Sequence, residues 1–406
     1  MKIAFISYEF PPDTAAGGIA TYIKQAADML QNRGNLVEVF TASRHRSGVE
    51  TETNGLIVHR IKIDNRKNFS HQIAPVFAER HKAVAFDVLE GPDFGAEAIE
   101  AVQLVPDIPF VVKLHTPCCI LRQQSSLRKK SFLSQLRAKV GAIHQFINPY
   151  SIENAERSQA LKADVIAAPS NAIFSRLMQF WKLDSKKVHV FPYPYNPSSE
   201  LLNIKIKRTT SKNITFIGRL EQRKGVLDLA QAIPHILSQC PDAKFRFVGK
   251  IGPSPDRDKT MKQYIEEYLH PYCQSIEFTG AIPNNQIHSV LSQTDVCVFP
   301  SLFDSFGIVC LEAMSAGRAV VGSSAGGMAE VINSNAVGRL APPKSPDQIA
   351  QKVIELLQNP KLRMQIGIDA RERVLEEYTT DLVGDLQEKS YQHAIETRRN
   401  LGPRSY

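Results

Sequence analysis

No apolar stretch of this sequence approaches the ~18 residues that a membrane-crossing helix needs, so a helical integral membrane protein is excluded. Residues Met1 to Phe10 (MKIAFISYEF) carry one Lys, but Ser7, Glu9 and the following Pro11 and Pro12 break the apolar run, and no signal-peptide core fits. The cytosol is therefore the expected compartment. The six cysteines (118, 119, 240, 273, 297 and 310) form no CxxC and no pair with His at zinc spacing, which argues against a disulfide framework or a metal knuckle. GxGxxG is absent, so a dinucleotide fingerprint cannot be claimed. Low-complexity tracts are lacking too. With 43 % apolar and 22 % charged residues, the composition is that of an ordinary globular protein, and 406 residues predict two domains or three.

What is present begins with charge. Lys and Arg exceed Asp and Glu by 49 to 41, a net +8 that suits polyanion, membrane-surface or phosphate-bearing partners without choosing among them. Between Ile108 and Ile152 seven basic residues and no acidic one occur, which predicts a local basic surface. Within it, Phe132, Leu133, Leu136, Val140, Ile143 and Ile147 fall at helical spacing, so the segment reads either as a helix docking on lipid headgroups or as a core-facing helix with a solvated back. An anionic membrane surface contacting 122–147 is an expected partner. Nucleic acid is not, because no helix-turn-helix, zinc module or aromatic RNP pattern accompanies the basic pI.

Short β-branched runs alternate with helical periodicity, the rhythm of βα units in a parallel sheet. Strands are predicted at 2–7, 37–41, 57–61, 87–90, 110–114, 165–168 and 188–191, with a first helix over 19–33. Three prolines within 192–197 then forbid helix and central strand, as in a linker. Beyond it the rhythm restarts, with strands predicted at 213–217, 245–248, 275–279, 296–299 and 319–322. The fold class is thus α/β, as two Rossmann-like, doubly wound domains expected to face each other across a cleft, since such sheets bind ligands at their strands' carboxyl ends.

Three stretches carry chemistry. Strand 213–217 runs into Gly218-Arg219-Leu220-Glu221-Gln222-Arg223-Lys224-Gly225, placing Arg219 and Lys224 where two cations and a helix N-terminus would suit a pyrophosphate; a solvated basic turn would read the same. Strand 296–299 leads into Pro300–Gly317 (PSLFDSFGIVCLEAMSAG), with a helix beginning near Gly307 and backbone amides of Phe306 to Val309 at its N-terminus. Asp304 lies in the loop and Glu312 in the helix, where a carboxylate accepting both ribose hydroxyls, or one satisfying a buried backbone group, would fit Glu312. Near the start, Glu9 to Gly18 forms a loop whose Gly17 and Gly18 would let a backbone approach phosphate or sugar, or merely make a tight turn.

GRLEQRKG (218–225), PSLFDSFGIVCLEAMSAG (300–317) and SSAGGMAEVI (323–332), together with the opening SYEFPP and Gly-Gly, resemble the GT4 family of retaining glycosyltransferases with their GT-B fold. The resemblance implies an N-terminal acceptor domain (1–193), a C-terminal nucleotide-sugar domain (194–378) and a helical segment (379–406) returning to the first. It implies transfer of a hexose, glucose or a related sugar, from a UDP-linked donor to a glycan or lipid-linked oligosaccharide, without a metal cofactor. Arg219 and Lys224 would bind the donor diphosphate and Glu312 the ribose. Ser305, Phe306, Gly307, Ile308 and Val309 would hold sugar and phosphates, Ala281 and Ile282 would meet the base, and Gly17 and Gly18 would approach the diphosphate. His115, in Leu-His-Thr-Pro, matches the family's histidine beside the transferred sugar, although a strand-end histidine is often structural.

One position departs from the family pattern, which has Glu at both ends of the paired motif, eight residues apart; here the first is Asp304. Its shorter side chain would shift contacts to the sugar or route them through water. Asp256-Arg257-Asp258 resembles the metal-binding DxD of another transferase fold, but its Pro-rich setting reads as a helix start. A nucleotide-sugar sensor without transfer, favoured by Asp304 alone, and an epimerase of the same architecture are the rival functions.

Overall fold

The computed structural model describes residues 1–14, 17–125, 152–206 and 211–405. They divide into two compact units, one of 1–14, 17–123, 152–194 and 380–405, the other of 124–125, 195–206 and 211–379. Most of the basic segment on which the membrane expectation rests, 126–147, lies outside the described residues. Of its described part, Arg122 is already paired with Glu153 at 2.6 Å.

The first unit is built on β1 (Lys2–Ile6), β2 (Leu36–Ser43), β3 (Gly48–Thr51), β4 (Ile57–Lys62), β5 (Val88–Pro92), β6 (Phe110–Lys113), β7 (Val165–Ala168) and β8 (Val188–Val190). They form one sheet in the order β3-β4-β2-β1-β5-β6-β7-β8. Every pairing is parallel except that of β3 with β4. Ile3 to Ile6 and Val165 to Ala168 are buried without alternation, because a parallel sheet is covered on both faces. Helix Gly18–Asn32 returns over the sheet on a stripe of Ala20, Ile23, Ala26, Ala27 and Leu30. The strand at Gly48–Thr51 was not anticipated, since GVET is polar and its Val49 is 64 % exposed on the sheet edge.

The second unit contains β9 (Asn213–Ile217), β10 (Lys244–Val248), β11 (Ile276–Gly280), β12 (Val296–Phe299), β13 (Ala319–Ser323) and β14 (Arg339–Ala341). Their order is β11-β10-β9-β12-β13-β14, all parallel. Phe245, Phe247, Val296 and Val298 pack beneath Ile233 and Ile236 of helix Val226–Gln239. The three-residue β14 was likewise too short to stand out. Between the units, 191–198 has no regular structure, as the prolines require.

In each sheet the chain winds outward in both directions from one strand, β1 in the first and β9 in the second. Loops leaving the carboxyl ends of β1 and β5, or of β9 and β12, therefore diverge and leave a crevice between them. That topology places the candidate residues.

Asp256 and Asp258 do not open a helix: the Asp258 amide donates to Asp256 Oδ1 at 3.1 Å in a turn, and the helix runs Met261–Tyr268. Its N-cap is Thr260, in a capping box with Gln263. That reciprocal pair satisfies two amides at once and outcompetes an upstream carboxylate.

Candidate functional site

In the second unit three loops meet at the carboxyl ends of β9, β12 and β13. After β9, Gly218 donates to the Val248 carbonyl at 2.9 Å and Leu220 to that of Lys250 at 2.9 Å, which leaves the side chain of Arg219 exposed between them. Gln222–Lys224 then makes one tight turn, and Gly225 begins helix Val226–Gln239 with φ of +70°. A Cβ on Gly225 would lie 1.9 Å from the Pro300 carbonyl oxygen, so the loops after β9 and β12 touch backbone to backbone. Gly225→Ala should therefore cost about 3 kcal/mol or more in urea unfolding, the sum of a left-handed strain and a clash that neither loop can yield to. An unchanged midpoint would contradict that close approach.

The two loops are also joined by hydrogen bonds. The Leu302 amide donates to the Arg223 carbonyl at 2.8 Å, and Lys224 Nζ donates to Asp304 Oδ2 at 2.6 Å. Burial would raise the Asp304 pKa, but the Lys224 ammonium, with Arg223 and the Ser301 hydroxyl, holds the carboxyl below the usual carboxylate range. Asp304 is held on its backbone side as well, pairing with Gly326 and accepting from the Gly327 amide at 2.8 Å. A Cβ on Gly326 would stand 2.1 Å from the Asp304 carbonyl oxygen, which is why the third loop needs glycine there.

Ser305, Phe306 and Gly307 are buried behind Asp304, while Ile308 and Val309, half-buried, start helix Ile308–Ser315. Glu312 lies one turn further on. Burial pushes its carboxyl up to about 7, and together with burial it raises the phenol of Tyr195. Ala281, exposed, and Ile282, half-buried, follow β11 at the same carboxyl edge of the sheet, two strands from β9.

In the first unit the loop after β1 is pinned by the Tyr8 amide, which donates to Glu97 Oε2 at 2.8 Å. Arg66 pairs with Glu9 at 2.8 Å and Glu97 at 2.6 Å and lies over the rings of Tyr8 and Phe94. Gly17 and Gly18 are exposed: a Cβ on Gly18 would meet nothing within 4 Å and one on Gly17 only Glu9 Oε2 at 3.8 Å. No packing inside the unit requires glycine at either place. His115 follows β6, buried, with its amide donating to Asp93 Oδ1 at 2.9 Å and its Nδ1 2.7 Å from the Tyr193 hydroxyl. Burial and the neighbouring Lys113 push its imidazole down to about 3, so it is neutral at physiological pH.

Several residues around His115 were not foreseen. Lys113 and Glu90 stand alone as charged residues inside the buried runs FVVK and VLEGP, and that interruption is the signal that could have found them. Arg66, in the polar stretch 64–68, and Glu97, in a segment with no continuous apolar run, carry no such signal. Among the described residues, no cluster of His, Cys, Asp and Glu could hold a metal ion, and no helix is long and apolar enough to cross a membrane.

Residues 16–199 match the family described as Glycosyltransferase Family 4, and 198–373 match Glycosyl transferases group 1. An uncharacterized glycosyltransferase of Methanocaldococcus jannaschii is 28 % identical over 98 % of this chain and 99 % of its own length. Sucrose-phosphate synthase from Thermosynechococcus elongatus shares the fold with a TM-score of 0.74 at 20 % identity, over 97 % of this chain and 99 % of that one. The Anabaena protein HepE, solved in complex with UDP and glucose, does so with a TM-score of 0.66 at 16 % identity, over 97 % and 99 %. Two family matches that together run from 16 to 373, on two parallel-sheet α/β units, establish that this chain belongs to the GT4 family of glycosyltransferases, with the GT-B fold.

Proposed function

We propose that this glycosyltransferase moves a hexose from a UDP-sugar to a hydroxyl of a glycan or lipid-linked oligosaccharide, with retention and without a metal ion. The observation that carries the reading is the pair of cations at the carboxyl end of β9, with Lys224 fixed by Asp304 at 2.6 Å and Arg219 exposed beside it. Breaking a glycosidic bond to a diphosphate leaves negative charge on the β-phosphate, and fixed cations there stabilise the transition state more than the ground state. Arg219 and Lys224 are assigned to the diphosphate, and the backbone of 305–309 to sugar and phosphate. Ala281 and Ile282 are assigned to the base, Gly17 and Gly18 to the diphosphate from the first unit, and His115 to the transferred sugar. UDP is favoured because a protein of the same fold was solved with UDP and glucose. Asp304, already engaged by Lys224, orients that ammonium and meets the sugar with its remaining oxygen or through water.

The test is a panel of nucleotide sugars incubated with and without glycan acceptors and chelator, followed by assay of free nucleoside diphosphate. Acceptor-dependent release of UDP that survives chelation is expected. Release with no donor in the panel would favour the sensor reading, and sugar isomerisation without release the epimerase.

Glu312 adds a pH dependence. As a carboxylate it accepts from both ribose hydroxyls, whereas its protonated form gives up part of that capacity. With its pKa raised to about 7, the ionised form is lost as pH falls through that value. UDP-glucose, whose phosphates do not titrate in this range, should bind up to about tenfold more tightly at pH 8 than at pH 6. Glu312→Gln should flatten the dependence, as followed by calorimetry; an equally steep profile in that variant would assign the titration elsewhere.

A further inference from the structure

Lys113, at the end of β6, is wholly buried, and its Nζ has no hydrogen-bond partner among the described residues. The ammonium lies 3.7 Å from the centre of the Phe191 ring and 5.3 Å from those of Tyr22 and Tyr193. An aromatic cage of this kind offsets part of the cost of burying a cation, but Met would fill the same space with no such cost. Packing therefore does not explain the lysine.

His115 is two residues further along the extended chain and so points to the same side. The same two tyrosines grip it: the Tyr193 ring centre is 5.3 Å from that of His115, and Tyr22 presents an edge at 5.2 Å. Tyr193 also fixes the tautomer. Its oxygen is 2.8 Å from the Leu114 carbonyl and 2.7 Å from His115 Nδ1. A carbonyl can only accept, so the phenolic proton goes to Leu114, and the contact with His115 is satisfied only if Nδ1–H donates to the Tyr193 oxygen. Nε2, buried and without a partner among the described residues, is left with a lone pair.

We propose that Lys113 is a positioning residue for His115: its ammonium, lodged against the same Tyr22 and Tyr193 rings, disfavours a second cation on the imidazole and so leaves Nε2 an acceptor for a hydroxyl of the substrate. This rests on the assignment of His115 to the transferred sugar. The groups that face the pair are consistent with it. Glu90, on β5, accepts from Tyr22 at 2.7 Å and Tyr391 at 2.8 Å, and burial raises its pKa against the pull of Lys113. Asp93, raised by burial and by Glu156, accepts the His115 amide. Burial pushes Lys113 down to about 7, so its charge is present below that pH, the range in which an ordinary histidine would take up a proton, and fades above it.

The experiment compares wild type, Lys113→Met, Lys113→Arg and His115→Ala. Nitrogen-15 shifts of His115 followed against pH should place the proton on Nδ1 in wild type. In Lys113→Met they should show protonation beginning about one pH unit higher. The same variant should keep the wild-type melting temperature or exceed it, hold kcat near neutral pH within about twofold, and move the acid limb of the pH profile upward by the same interval, a shift partly reversed in Lys113→Arg. An unchanged His115 titration in Lys113→Met overturns the proposal, as does a loss of kcat with the acid limb unmoved. Full activity in His115→Ala would instead remove the role given to His115, while the titration would still decide whether Lys113 controls its protonation.

Discussion

Arg219→Ala and Lys224→Ala should each lower kcat by about 10²- to 10³-fold with little change in folding, the loss expected when one fixed charge facing a developing oxyanion is removed. The reasoning is differential. Ground-state diphosphate keeps its charge in any binding mode, but the leaving β-phosphate gains charge as the bond breaks, so the cations count for more there. The Arg219 side chain is exposed, hence its truncation should leave the unit intact. Lys224→Ala differs because it strips Asp304 of the ammonium that keeps it ionised. Its carboxyl, left with burial as the main influence, would then take up a proton more readily, and Asp304→Asn combined with Lys224→Ala should cost less than the sum of the two changes. Steady-state kinetics with the donor identified by nucleotide release would decide: both single variants within about twofold of wild type would remove the diphosphate assignment.

Asp164→Ala should destabilise the first unit by about 3–5 kcal/mol, because it leaves two guanidiniums buried without a counter-charge. The Asp164 side chain is wholly buried. It accepts from Arg398 and Arg404 at 2.5 Å each and from the Phe110 amide at 2.9 Å. Those arginines belong to and follow helix Thr380–Leu401, so the carboxylate ties the end of the chain to the start of β6. Asp164→Asn, which keeps an oxygen for the Phe110 amide, isolates the charge from the hydrogen bond. Denaturant unfolding followed by fluorescence of Trp181, in the first unit, reports the effect, and a change below about 1 kcal/mol for Asp164→Ala would show that the cluster is not stabilising.

How much of this is legible in the sequence depends on how local each signal is. The parallel strands stand out because burial on both faces makes them short continuous apolar runs, whereas GVET at the edge carries no such run. Arg219 and Lys224 are visible because strand, glycine and cations follow one another directly. The ion pair of Lys224 with Asp304 is not, since 80 residues separate them and only the pairing of β9 with β12 brings them together. Gly225 reads as a turn, but its true constraint is the Pro300 carbonyl of another loop. The grouping of Lys113, Tyr22 and Tyr193 around His115 depends in the same way on the winding of the first sheet.

The first unit is discontinuous, closed by a helix that comes after the whole of the second. In that unit Glu90 takes hydrogen bonds from Tyr391 at 2.8 Å and Gln387 at 3.2 Å. A growing polypeptide therefore reaches these partners only after roughly three hundred further residues have been made, whereas 195–379 is continuous and can collapse as it emerges from the ribosome. During synthesis the earlier half is left waiting with β5, β6 and β7 lacking their last helical cover, and the later half is the first to be complete.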